Sequence, residues 1–275
     1  QDTTKGWIPL YDGAVTLETP QLGASLNDEG IFYKNNPNRQ FETLVTYEKF
    51  VEAEGSEVIT TALTFGTTAS YIVRNKLIPV FVDVKNDQNI DENKIVNKIT
   101  KKTKAIMPVH LTGRMCSMDK IDKISKKYNI PIIEDCAQSI MSKYKGKMAG
   151  AWGEVGCFSA HPLKNLNAVG DSGYLTTNDG KIYIKTKDLI NHGMTSNRNI
   201  IKNFGYVSRM DNLQAAVLNY RLTKLKKVIS IRRKNVELYK KYLDLKSVFF
   251  PKEEKYQFNS YHTFVIQVAR RNDLK

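Results

Sequence analysis

Ala105-Ile106-Met107-Pro108-Val109-His110, the segment from Met118 to Tyr128, and Ile130-Pro131-Ile132-Ile133-Glu134-Asp135 follow one another along the chain, and their reading decides the fold. The two outer runs are short and apolar, the length of buried strands. The middle segment alternates Lys and Asp around Ile121 and Ile124, whose spacing puts both on one helical face. Strand, helix and strand joined by short links call for a right-handed crossover and parallel pairing.

The same alternation extends outward. Upstream, Val58-Ile59-Thr60 reads as a strand, Phe65 to Asn75 as a helix, and Pro79-Val80-Phe81-Val82-Asp83-Val84 as another buried strand. Asp91 opens a helix to about Ile99, with Ile95, Val96 and Ile99 as its apolar stripe. Downstream, Cys157-Phe158-Ser159 and Gly173-Tyr174-Leu175-Thr176-Thr177 read as two further strands around a loop. A long helix fits Asp211 to about Leu243, with Leu218, Leu222, Leu225, Val228, Val236, Tyr239 and Leu243 on one stripe. Tyr261 to Val268 reads as the first strand of a new unit. Residues 1–57 are irregular, apart from a possible helix over Glu42–Glu54. The expected class is α/β: a mostly parallel sheet flanked by helices, with part of a smaller C-terminal α+β domain. Three parts are expected: an atypical N-terminal segment 1–57, a large α/β domain 58–210, and a linking helix with an incomplete small domain 211–275.

Composition bounds the function. The 275 residues suffice for one large domain and part of a second, and 41% of them are hydrophobic. No run of about 18 apolar residues occurs, and the polar start lacks a secretory signal, so a cytoplasmic protein without a membrane span is expected. Cys116, Cys136 and Cys157 are too scattered for a disulfide framework or a zinc site, and no metal is expected. Lys and Arg total 42 against 28 acids. That excess fits anionic substrates or a plain compositional bias; no nucleic-acid-binding signature accompanies it.

Two places carry candidate chemistry. Asp135 ends a strand, where ligands of parallel sheets sit. Its carboxylate could serve a metal, a ribose, a base or a pyridinium nitrogen, or merely cap the next helix. Gln138 lies one turn on. Lys164 sits in an irregular loop, Ser159-Ala160-His161-Pro162-Leu163-Lys164, next to the same crevice. A desolvated lysine there is a nucleophile; a solvated surface amine is the plain alternative. Ser159 could donate its hydroxyl to a phosphate.

Taken in order, several motifs resemble the DegT-type nucleotide-sugar aminotransferases, which are fold-type I pyridoxal-phosphate enzymes. They are Pro79–Val84, Thr103–Leu111, Ile133-Glu134-Asp135-Cys136-Ala137-Gln138, Phe158–Leu166, Gly170–Asp179, Asn191-His192-Gly193 and Gly205–Ala216. The resemblance runs from about Glu57 to Arg271. It implies that Lys164 carries pyridoxal 5'-phosphate, that Asp135 pairs with the ring nitrogen, and that Gln138 contacts the ring hydroxyl. It further implies that Phe65 stacks on the ring and that Ser159 binds the phosphate. His161 and Arg209 are implied as substrate-binding residues. The implied reaction moves an amino group from an amino acid, glutamate, to a nucleotide-linked keto-deoxy sugar, for cell-surface polysaccharide or glycoside biosynthesis. A homodimer is implied, because a partner subunit reaches the phosphate; Tyr206 to Arg209 is the candidate region, with Val207 where Asn is common.

Two departures bear on this. A Ser-Gly-Thr phosphate-binding segment, expected upstream of Val58, is not read here, and the chain ends before the smaller domain would be complete. The alternative is therefore a catalytically impaired fragment or a regulatory member of the same fold. A related sugar dehydratase would carry His in place of Lys164.

Overall fold

The computed structural model describes residues 32–34 and 54–272, except 196, 198, 202, 203, 245 and 271. The candidate helix at 42–54 therefore lies outside the described residues save for Glu54. So does the stretch in which the Ser-Gly-Thr segment was sought, apart from Phe32–Lys34.

Two sheets meet to form the frame of the site. In the first, β2 (Glu57–Thr61) pairs in parallel with β3 (Ile78–Val82) and β4 (Thr103–Met107). In the second, β5 (Ile133–Asp135) pairs in parallel with β8 (Val155–Ser159), and β9 (Ser172–Thr177) runs antiparallel to both β8 and β1 (Phe32–Lys34). Parallel bridges Ile106↔Ile132 and Val109↔Asp135 join them, giving the order β3-β2-β4-β5-β8-β9-β1. The sheet is mostly parallel, as the alternation of strands and helices implied. Its core holds Ile59, Ile106, Phe158 and Leu175, each at most 2% exposed.

The helices are α1 (Gly66–Arg74), α2 (Glu92–Ile95), α3 (Met118–Tyr128), α4 (Gly180–Ile190) and α5 (Asn212–Tyr242). Helix α3 buries Met118 and Ile121 and stops at Asn129, which takes the left-handed conformation (φ 52°) that Asn tolerates. No described helix is long and apolar enough to cross a membrane.

Four readings are corrected. The run Pro79–Val84 is not a buried strand: β3 is paired only with β2 in its sheet, and Ile78 and Phe81 are each 45% exposed. An apolar run shows that a strand packs against something, not how many strands flank it. Helix α2 lasts one turn and tightens into a 3₁₀ turn at Val96–Lys98, which turns Val96 outward. In α5 the buried stripe runs through Ala215, Leu218, Leu225, Ile229 and Val236, so Ile229 replaces Val228, and Tyr239 is 57% exposed. Tyr261 to Val268 forms no strand; one bridge ties Gln267 to Phe249. Instead β10 (Gln257–Phe258) pairs with the hairpin of β6 (Lys143–Tyr144) and β7 (Lys147–Met148). Arg114 clasps the preceding stretch through the carbonyls of Pro251 (2.7 Å) and Lys252 (3.0 Å). Beyond it, Ser260 N–H donates to Gly113 O at 3.0 Å.

Glu134 locks the central strand. Its fully buried carboxylate accepts the backbone N–H groups of Gly150, Trp152 and Gly153 at 2.6–3.0 Å, and His110 Nε2 at 3.0 Å. Because His110 Nδ1 accepts from Cys116 N–H, the ring proton sits on Nε2. With Cys136 this pair has the spacing of a metal site. Its nitrogens and oxygens are already engaged, and burial pushes the Cys136 thiol well above its ordinary pKa. The trio reads as a structural clasp.

Candidate active site

A cavity of about 320 Å³ opens at the carboxyl ends of β2, β4, β5 and β8. Parallel strands end there with their backbones diverging, so side chains from successive loops converge. Asp135, Gln138, Ser159, His161, Lys164 and Phe65 all line it. Arg209 does not line it; it sits half-buried in the loop that precedes α5.

Asp135 is held from two sides. Ala137 N–H donates to its Oδ1 and the Thr68 hydroxyl to its Oδ2, each at 3.0 Å. Gln138 Oε1 accepts Thr112 N–H at 2.6 Å, which leaves the Gln138 NH₂ free to donate. Ser159 Oγ accepts His161 N–H at 3.3 Å. His161 Nδ1 accepts Leu163 N–H, and its Nε2 lies 3.5 Å from Asp171. Phe65 caps α1 at the rim and is 71% exposed, so one face of its ring is open to a ligand.

The Lys164 loop is rigid for identifiable reasons. Lys164 N–H closes a turn onto His161 O at 2.8 Å, and Ala168 N–H returns to Ala160 O at 2.8 Å. From α5, Arg221 grips the carbonyls of Asn167 and Ala168 at 2.7 and 3.1 Å, and Gln214 accepts Val169 N–H at 2.9 Å. Gln214 also packs close over Gly170, where a Cβ would lie 2.8 Å from its Nε2. Burial holds the Lys164 amine below the ordinary lysine pKa, partly offset by the Asp135 charge. An amine so shifted is more often unprotonated, and therefore nucleophilic.

Several lining residues escaped the sequence reading. Thr64 and Thr68 join hydroxyls at 2.8 Å behind Asp135. Their only signal was i,i+4 spacing at a helix start. His262 closes the wall near Lys164. Burial first, and then the charges of Lys164 and Arg232, push its pKa down to about 4, so the ring is neutral. Its carbonyl accepts Arg232 Nη1 at 3.0 Å. Nothing in the sequence joined this histidine to the strand-end loops.

The sequence profile of the DegT/DnrJ/EryC1/StrS aminotransferase family matches residues 43–275. A "pleiotropic regulatory protein" of Geobacillus stearothermophilus is 39% identical over 227 residues, covering 80% of this chain and 60% of its own length. The "dTDP-3-amino-3,6-dideoxy-alpha-D-galactopyranose transaminase" of Aneurinibacillus thermoaerophilus is 39% identical over 219 residues, covering 79% and 60%. The chain thus spans about 60% of the length of these relatives. Among solved structures, an aminotransferase of this family from Brucella abortus superposes with a TM-score of 0.83 at 28% identity, covering 99% of this chain and 74% of that one. A putative sugar aminotransferase from Streptococcus pneumoniae in its PLP form superposes with a TM-score of 0.75 at 25% identity, covering 82% and 63%.

Proposed function

Because the chain belongs to the DegT/DnrJ/EryC1/StrS aminotransferase family, we propose that it moves an amino group from an amino acid, glutamate, to a nucleotide-linked keto sugar, with pyridoxal phosphate held at Lys164. The observation that carries this reading is the shared cavity: a half-buried amine whose pKa burial lowers, and a carboxylate bonded from two sides, at the ends of adjacent strands.

The donor set fits the cofactor. Asp135 offers an anion to a protonated ring nitrogen. The Gln138 NH₂ offers a donor to the ring hydroxyl, and Ser159 a hydroxyl to the phosphate. Phe65 offers a ring face. When bound, pyridoxal phosphate supplies an aldehyde carbon and a ring that draws electrons from it. The chain's own residues do the rest. Lys164 Nζ is the amine that would hold the cofactor and, once free of it, would be placed to move a proton at the donor's α-carbon. Asp135, held by Thr68 and Ala137, would face the ring nitrogen. The neutral His262 adds no charge beside the amine. The net charge of +14 suits an anionic nucleotide diphosphate.

A homodimer is part of the proposal. Ile201 is 63% exposed, Phe204 100% and Val207 62%, apolar side chains in and beside the segment expected to reach a partner's site. The second reading, a regulatory member that binds cofactor without turnover, draws on the name of the Geobacillus relative.

The test is direct. The wild-type chain incubated with pyridoxal phosphate should give a visible absorption band that borohydride fixes onto the Lys164 peptide. Lys164→Ala should fold and lack the band. Mass spectrometry of a panel of nucleotide keto sugars with glutamate should then reveal one aminated product. An adduct on another lysine would refute the assignment of Lys164. An adduct without product from any sugar would favour the regulatory reading.

A further inference from the structure

Asp135 and Lys164 line one cavity with opposite formal charges. Left free, a carboxylate and an ammonium in a half-buried cavity attract strongly enough to close into an ion pair. That pair would occupy the acid and keep the amine protonated. Instead the amine feels Asp135 only as a nearby charge, with no hydrogen bond between them, and burial holds its pKa low.

What restrains the acid lies behind it. Thr68 donates to Oδ2, and Ala137 N–H to Oδ1. Since the Thr68 proton is committed to the acid, the 2.8 Å contact between the two threonine hydroxyls runs one way, with Thr64 donating. Such a chain polarises each of its members. Thr68 is buried in the first turn of α1, and Thr64 lies one turn before it. The other titratable groups lining the cavity are Tyr71, Glu134, Cys157, His161 and His262. Glu134 is spent on backbone N–H groups and His110, so it does not compete for the threonines.

We propose that Thr64 and Thr68 form a hydroxyl relay that clamps Asp135 away from Lys164, so that acid and amine do not neutralise each other before a ligand arrives. Both threonines are positioning residues. The proposal rests on the reading of Lys164 and Asp135 as cofactor residues, but it can be tested on the full chain without cofactor.

The experiment acetylates the protein with acetic anhydride over a pH series. Mass spectrometry compares modification of Lys164 with that of the exposed Lys227. In Thr68→Val, the freed acid should pair with the amine. Lys164 modification should then fall about tenfold near neutral pH, the effect of about one unit of amine pKa. Thr68→Ser should restore it. So should Thr68→Val combined with Asp135→Asn, which leaves no charge to collapse onto the amine. A folded Thr68→Val that titrates like wild type overturns the relay, as does a double variant no more reactive than Thr68→Val. If circular dichroism shows Thr68→Val unfolded, Thr64→Val takes its place. A smaller shift in the same direction is then expected, and no shift overturns the relay. Failure of the wild-type chain to form a borohydride-fixed adduct at Lys164 would sink the cofactor reading instead, and this titration would still judge the clamp.

Discussion

At the scale of single residues, the site works by what it withholds from its charges. Lys164 is half-buried, Asp135 bonds to Thr68 and Ala137, and His262 is denied a proton until about pH 4. The last has a consequence for stability. An unfolded chain protonates His262 near its ordinary value of 6.5, whereas the folded ring refuses the proton down to about 4. Between these values the unfolded state binds more protons. The stabilisation present above about pH 6.5 is therefore lost as the pH falls towards 4. His262→Phe should flatten that limb of a plot of urea midpoint against pH; an unchanged slope would mean that the ring is not the group responsible. Glu134 gives a second test. Replacing it with Ala takes the acceptor away from the N–H groups of Gly150, Trp152 and Gly153 and from His110 Nε2, and should cost about 3 kcal/mol or more in chemical denaturation, since a buried donor left unpaired costs about 1–3 kcal/mol.

At the scale of elements, the sheet supplies Asp135 while a helix fixes the loop that carries Lys164. Helix α5 reaches the loop through Arg221 and Gln214. Arg221→Ala removes a charged donor from two carbonyls and should destabilise the chain by about 1.5–3 kcal/mol. It should also speed cofactor release, measured as decay of the absorption band after dilution. Unchanged release together with lost stability would confine Arg221 to a structural role. The residues of α5 were largely readable, because its buried Leu218, Leu225 and Val236 keep helical spacing along the chain. Its grip on the Lys164 loop was not, because side-chain donors that reach backbone carbonyls leave no periodic trace.

At the scale of the whole molecule, the exposed Phe204 bears on assembly. Sedimentation equilibrium should give a dimer, and Phe204→Asp should shift it to monomer with the adduct at Lys164 weakened. A wild-type monomer that still transaminates would refute the dimer. The two-sheet frame also shows why the run near Tyr261 misled. Its β-branched and aromatic residues are typical of strands, yet Ser260 bonds to Gly113 and Ser142, and the Tyr261 and His262 carbonyls accept from Arg232 rather than from a neighbouring strand. Gly113 allows this approach, since a Cβ there would lie 2.7 Å from Tyr261 N.

The sequence by itself determined the alternation of strands and helices, hence a mostly parallel sheet. It also placed Asp135 at a strand end and Lys164 in a Gly- and Pro-bounded loop nearby. These are local properties: period, run length and turn chemistry act over a few residues, so a linear reading reaches them. Tertiary structure alone decided that, among the described residues, β3 is flanked on one side only, that Thr64 and Thr68 stand behind Asp135, and that His262 closes the wall beside Lys164. Those facts depend on which distant segments meet, and contacts between residues far apart in the chain are chosen by the packing of the whole core.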